Sequence, residues 1–169
     1  MKLEFRPLAA HDLTLLHEWL QRDHVRRWWT DRETLAEVVE HYLPSIDGRE
    51  STDLYLIVGD GHPIGFIQTY QVAGYPEYRD LVKVEDGVAG VDLFIAEPEL
   101  IGRGVGTEAL RQFVEGVVFA NSDVHACIAD PDADNIASLR AFEKAGFARV
   151  REFVDPSDQR PHALVRRER

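Results

Sequence analysis

The amino-acid sequence predicts an α/β (α+β) domain, a mixed sheet with helices packed on it. Three observations predict it. Apolar runs of strand length alternate with segments whose apolar residues recur at helical spacing. The segments follow the order β-α-α-β-β-β-α-β-α-β-β, so strands and helices are interspersed but not in strict βαβ units. A glycine-rich turn, Ile101 to Thr107, joins a central apolar run to a helical one. The length of 169 residues suits one domain, residues 1–169, because domains commonly hold about 100–200 residues.

Taken in order, Leu3 to Pro7 reads as a short strand. His11-Asp12 opens a helix with Leu13, Leu16, Trp19 and Leu20 along one face. A second helix is expected from about Arg32 to Tyr42, with Leu35, Val38, Val39 and Tyr42 together and Pro44 helping to stop it. Leu54 to Val58, the turn Gly59-Asp60-Gly61-His62 and Pro63 to Val72 read as a hairpin. Ala73 to Gly87 is polar and aromatic and is expected to be an irregular loop, of a length that is often functional. Val88 to Ala96 is a strand and Gly104 to Ala120 a helix. Val124 to Ala129 is a strand, Asn135 to Ala145 a helix, Phe147 to Val154 a strand, and Pro161 to Arg166 a last short strand. No repeat, low-complexity stretch or linker interrupts the series.

Composition narrows the partners. No apolar run approaches the roughly 20 residues of a membrane span, so a membrane role is not expected. The first residues, Met1-Lys2-Leu3-Glu4-Phe5-Arg6, lack a signal-peptide pattern. The single cysteine, Cys127, lies in an apolar run, which suits a buried thiol in a reducing, cytoplasmic setting. Acidic residues exceed basic ones 30 to 19, a net charge of −11. That argues against nucleic acid, which needs a basic face, and favours a cationic small molecule. The seven histidines show no metal-ligand spacing, and no nucleophile turn is present, so no metal and no hydrolase triad are expected.

The turn Ile101-Gly102-Arg103-Gly104-Val105-Gly106-Thr107 carries the chemistry. A strand, a glycine turn and a helix leave several N–H groups unpaired at the positive end of the helix dipole, which suits phosphate or pyrophosphate. Arg103 adds a cation. Packing alone also explains glycines here. A P-loop needs a Lys that this turn lacks, and the glycine spacing is not that of a dinucleotide-binding fingerprint.

The element order with this turn after the fourth strand resembles the GNAT acetyltransferase superfamily. Its pattern Gln/Arg-x-x-Gly-x-Gly/Ala is matched by Ile101 to Gly106 except at Ile101. A second block, Asn135 with Ser138 to Phe147, is matched well. Within the superfamily the chain is similar to the aminoglycoside 6′-N-acetyltransferases. The similarity runs through His11-Asp12-Leu13, Glu18-Trp19-Leu20, Trp28-Trp29, Tyr42 to Ser45, Pro63-Ile64-Gly65 with Gln68, Gly90-Val91-Asp92, Asp130-Pro131 and Glu143 to Phe147. The resemblance implies a mostly antiparallel sheet, splayed after its fourth strand, with helices on both faces. It implies acetyl-CoA as donor and the 6′-amine of an aminoglycoside as acceptor.

It also assigns residues. Backbone groups of Leu93, Phe94 and Ile95 would pair with the pantetheine arm. Amides of Gly102, Arg103, Gly104, Val105, Gly106 and Thr107 would hold the pyrophosphate. Asn135 would bond the pantetheine or, as its type suits, cap the helix that follows. Acetyl transfer requires a deprotonated amine, so a carboxylate must bind the ammonium and take its proton. Asp92, on the strand face opposite Val91 and Leu93, is costly there unless a cation or donors meet it, and is the expected base. Asp130, before Pro131, is the expected second anchor or a turn former; Asp132 and Asp134 extend a negative rim. Glu50 and Gln68 match acceptor-contacting positions. Trp29 and Tyr42 are expected to wall the acceptor, with Trp28, Tyr75 and Tyr78 as further aromatics. Phe142 stands where many relatives carry a Tyr that protonates the leaving thiolate, so the general acid is unassigned. A peptide N-terminus, a polyamine or another metabolite amine is the alternative acceptor, and a non-catalytic acetyl-CoA or cation-binding module a further one. A monomer and a homodimer fit these features equally.

Overall fold

In the computed structural model, which describes residues 1–169, the apolar runs assemble into seven strands. They are β1 (Leu3–Pro7), β2 (Asp53–Gly59), β3 (His62–Gln71), β4 (Val88–Ile95), β5 (Ala126–Ala129), β6 (Ala148–Asp155) and β7 (Arg160–Glu168). One sheet holds them in the order β1-β2-β3-β4-β5-β7-β6. Every neighbouring pair is antiparallel except β4 and β5.

That parallel pair is where the sheet opens. Val88, Ala89 and Gly90 pair with Ala126, Cys127 and Ile128, and the ladder then stops, while β3 follows β4 on to Ile95. β5 is four residues long and runs into Asp130-Pro131; a proline has no N–H with which to continue a ladder. The expected splay after the fourth strand is thus observed, with β4 presenting an unpaired edge beyond Gly90.

Helices cover both faces, as expected. On one face α5 (Val105–Phe113) and α6 (Ile136–Lys144) bury Leu110, Phe113 and Phe142 against Ile57, Ile67, Val91 and Val165. On the other, α1 (Leu13–Leu20), α2 (Asp23–Arg26) and α3 (Leu35–Ile46) bury Leu16, Trp19, Val38 and Tyr42 against Leu56 and Phe66. The alternation of β4 sends Val91 and Leu93 to the first core and Phe94 to the second. Asp92 therefore faces the α1–α3 side.

Four expectations need correction. The segment Ala73–Gly87 is not irregular throughout: it holds α4 (Pro76–Val82), begun by a proline whose missing N–H costs nothing there and ended by Lys83 at φ 56°. Pro44 does not stop α3, which continues to Ile46; only one internal bond is forfeited so close to the end. The same helix starts at Leu35, not Arg32, because Thr34 and Glu37 form a reciprocal cap: Glu37 N–H donates to Thr34 Oγ1 (3.3 Å) and Thr34 N–H to Glu37 Oε2 (2.6 Å). The helix expected to Ala120 is α-helical only to Phe113, then widens so that Phe119 N–H reaches Val114 O (2.8 Å). No helix is long and apolar enough to cross a membrane.

Candidate active site

The unpaired edge of β4 forms one wall of a cleft of about 470 Å³. Ala96 N–H donates to Ile64 O (2.8 Å), so residues 96, 94 and 92 turn their backbone groups toward β3. Leu93 and Ile95 consequently present theirs to the open edge, where His24 Nε2 stands 3.3 Å from Ile95 O. Phe94, expected to share in backbone pairing, has its groups committed to Phe66 across the ladder and contributes only its ring.

The glycine turn closes the far end of this cleft. Gly102 and Gly104 sit at φ 75° and 82°, a region that disfavours side chains. Their geometry starts α5 without a side-chain cap. The N–H groups of Gly102, Gly104, Val105, Gly106 and Thr107 donate to nothing in the protein; Arg103 N–H makes a long bond to Leu100 O (3.4 Å), and Glu108 N–H bonds Gly104 O (3.0 Å). Five free donors at a helix start suit an anion. Arg103, Arg140 and Lys144 form no ion pair; the latter two line the cleft, though the sequence reading did not single them out. Asn135 Oδ1 accepts from Ser138 N–H (3.1 Å), so the capping role is present, while the residue also borders the cleft. Ile101 is exposed at the rim.

Across Leu93 and the Trp28–Trp29 pair, this cleft meets a second cavity of about 350 Å³. A third, of about 270 Å³, shares His41, Tyr42, Gln68 and Asp92 with the second. Asp92 is enclosed by protein except where it opens to these cavities. Gln68, directly opposite on β3, donates from Nε2 to Asp92 Oδ2 (2.9 Å). Burial first, and the charge of Asp130 second, raise the Asp92 carboxyl to about 6. A carboxylate so placed is ionised at neutral pH and close to the range suited to proton uptake.

Asp130 meets the cavity already paired. Tyr78 Oη donates to its Oδ1 (2.6 Å), and His162 Nδ1 lies 3.1 Å from Oδ2 and 2.7 Å from its backbone oxygen. His162 Nε2 reaches Asp158 Oδ2 (2.8 Å). With an acceptor at each nitrogen the ring is an imidazolium, its pKa raised to about 10 chiefly by Asp130. Asp130 is therefore a hydrogen-bonded ion partner as well as a cavity wall. Asp132 is tied to Arg160, and Asp134 lies 3.4 Å from the same guanidinium, so both form a salt-bridged rim. His162 comes from β7, and nothing in the sequence linked it to Asp130.

The aromatic residues divide between packing and lining. Trp29 lines both larger cavities and meets Phe94 (5.2 Å) and Phe66 (5.8 Å) edge-on. Tyr42 is buried, stacked on His41 at 4.2 Å, and borders both smaller cavities. Trp28 carries the Arg27 guanidinium at 4.9 Å. Tyr70, Tyr75 and Tyr78 wall the smallest cavity, and a side chain at Gly90 would strike the Tyr70 ring. Glu50 stands at its mouth, accepting from Ser45 Oγ (3.3 Å). Phe142 is buried edge-on to Phe147 (5.0 Å) and offers no hydroxyl.

Folding also gathers metal-type ligands that linear spacing did not show: Asp130, Asp155 and His162, and Asp132, Asp158 and His162, have ligand atoms within 4.8 Å of one another. The shared member is the imidazolium, whose nitrogens both serve carboxylates, so the cluster is an ion-pair network.

The model of the acetyltransferase (GNAT) domain family matches residues 9–154. An aminoglycoside N(6′)-acetyltransferase type 1 of Klebsiella pneumoniae is 37% identical over 154 residues, 89% of this chain and 76% of the relative. A crystal structure of the aminoglycoside acetyltransferase AAC(6′)-Ib with coenzyme A and kanamycin superposes with a TM-score of 0.90 at 35% identity, over 99% of this chain and 95% of that one. A structure of AAC(6′)-Ib in complex with Parmomycin and acetyl-CoA gives the same score at 34% identity, over 100% of this chain and 94% of that one.

Proposed function

Because the chain belongs to the GNAT acetyltransferase family, we propose that it transfers the acetyl group of acetyl-CoA to the 6′-amine of aminoglycosides. The observation that carries this reading is the placement of Asp92, on the floor shared by two acidic, aromatic-lined cavities, the larger of which adjoins the donor-rich cleft.

In this reading the free N–H groups from Gly102 to Thr107, with Arg140 and Lys144 near them, hold the pyrophosphate end of acetyl-CoA. Leu93 and Ile95 offer backbone partners to the pantetheine arm, and Ile95 gains one in exchange for His24. Asn135 contributes its amide N–H while its oxygen caps α6. The thioester supplies the activated acetyl group. Asp92 receives the acceptor's ammonium, fixes it with Gln68 as neighbour, and takes up its proton directly or through water. Trp29, Tyr42 and the three tyrosines enclose sugar rings, and Glu50 draws a second ammonium. Asp130, held by His162 and Tyr78, orients the acceptor from the opposite strand end rather than serving as a bare anion.

The direct test is thiol release from acetyl-CoA in the presence of kanamycin. Wild-type protein is expected to release thiol and acetylate the drug at its 6′-amine, and Asp92→Ala to lower turnover by about 10²–10⁴-fold, the range for a proton-transfer group. Absence of thiol release with every aminoglycoside bearing a 6′-amine overturns the reading.

A further inference from the structure

The donor-rich cleft and the Asp92 cavity must join where the acetyl group changes hands. Five residues line both: Trp28, Trp29, Leu93, Asn135 and Ser138. Only Ser138 among them carries a hydroxyl. It lies in the first turn of α6, and Phe142 follows it by four residues on the same face. Its N–H is taken by Asn135 Oδ1 (3.1 Å), while its Oγ has no hydrogen-bond partner in the protein and is open to the junction. The next turn of that face ends in the Phe142 ring, which is buried and has no donor to give. The side-chain donors left at the junction are this hydroxyl, the Asn135 amide and two indole N–H groups.

We propose that Ser138 is the residue that donates a hydrogen bond, through Oγ–H, to the sulfur leaving the thioester. The proposal rests on the acetyl-transfer reading above. As the amine nitrogen bonds to the carbonyl carbon, the C–S bond breaks and its electron pair stays on sulfur. The acceptor's ammonium gives up its first proton through Asp92 and water to solvent before attack; the second, released as the N–C bond forms, goes to Asp92, and sulfur departs as thiolate with the Ser138 hydrogen shared, not transferred. A full transfer would leave an alkoxide in place of a thiolate, which is unfavourable because a thiol near pKa ~8.5 is far the stronger acid. The products are the acetylated amine, the thiolate and protonated Asp92, and Ser138 needs no reprotonation.

The test compares wild type, Ser138→Ala and Ser138→Thr. The alanine variant keeps the N–H that Asn135 caps and a good helix former at that position, so α6 is retained. The thiol of bound coenzyme A is titrated by its ultraviolet thiolate absorbance, and desulfo-coenzyme A, which lacks the sulfur, is the binding control. In wild type and Ser138→Thr the bound thiol is expected to titrate below free coenzyme A. In Ser138→Ala it rises by about one pKa unit, kcat falls about 10–100-fold, and affinity for desulfo-coenzyme A is unchanged. Wild-type behaviour of Ser138→Ala in both thiol titration and kcat overturns the proposal; so does a loss of kcat with the thiol titration unmoved, which places the effect elsewhere. If the bound thiol shifts as expected but wild type acetylates no aminoglycoside, the acceptor reading fails and the Ser138–sulfur contact stands.

Discussion

Asp92 is opposed in its ionisation by its enclosure and by the neighbouring charge of Asp130, and both act in the same direction. With the carboxyl near 6, lowering the pH through that value protonates it and removes the acceptor for the amine's proton. The acceptor kcat/KM is therefore expected to fall below about pH 6 in wild type, and the Asp92→Asn variant to retain low activity without that limb. A limb surviving in Asp92→Asn assigns it to another group. Gly90 makes a second residue-scale case. It lies two residues before Asp92, and the Tyr70 ring occupies the space where a Cβ would stand. Gly90→Ala forces that ring outward, at a cost of about 1–3 kcal/mol typical of overpacking. Steady-state kinetics should show a raised aminoglycoside KM with the acetyl-CoA KM unchanged, since Tyr70 lines the smallest cavity and not the cofactor cleft. A rise in the acetyl-CoA KM instead would place the damage at the β4 edge.

Between elements, His162 joins β7 to the end of β5 and to the β6–β7 connection through Asp130 and Asp158. Its folded pKa, raised from the usual 6.5 to about 10, means that the folded state holds the proton more tightly than the unfolded chain. The stability it contributes is complete below about pH 6.5 and is lost as the pH rises toward 10. Denaturant titrations from pH 6 to 10 should show a decline in wild type that His162→Gln lacks; equal slopes in the two proteins remove His162 from the account. This network also marks where sequence reading ended. Asp130 and His162 are 32 residues apart, and no period or motif relates them. The same holds for α4, where seven residues with one buried valine carry too little periodicity to be seen. α1 and α5 were legible because each buries one face repeatedly, and the strands because their apolar runs are short and bounded by turn residues. Asp92 was legible because strand alternation alone sets it opposite Val91 and Leu93. The commitment of Phe94's backbone to β3 was not, because that depends on which ladder pairs exchange hydrogen bonds, and the phase is set across strands.

On the scale of the whole molecule, the proposed reaction would bring two substrates of opposite charge into the one opening made by the splay, in a protein of net charge −11. Such a field gathers a polycationic aminoglycoside and opposes a polyanionic acetyl-CoA before either makes contact. The cofactor cleft must reverse that field locally, and its free amides at the start of α5, with Arg140 and Lys144 in its lining, are the groups present to do so. Salt screens the long-range part first, because the Debye length shortens from about 30 Å at 0.01 M to about 10 Å at 0.1 M. Raising ionic strength over that interval is therefore expected to raise the aminoglycoside KM severalfold. The acetyl-CoA KM should change little, or fall, as repulsion is screened while short-range amide bonds persist. Replacing Arg140 and Lys144 together with alanine should reverse this balance, raising the acetyl-CoA KM most at low salt, where the uncompensated acidic field reaches farthest. Steady-state kinetics in both substrates across the salt series decide the point. Parallel salt dependence of the two KM values would mean that net charge does not distinguish them, and that recognition on both sides is confined to direct contacts.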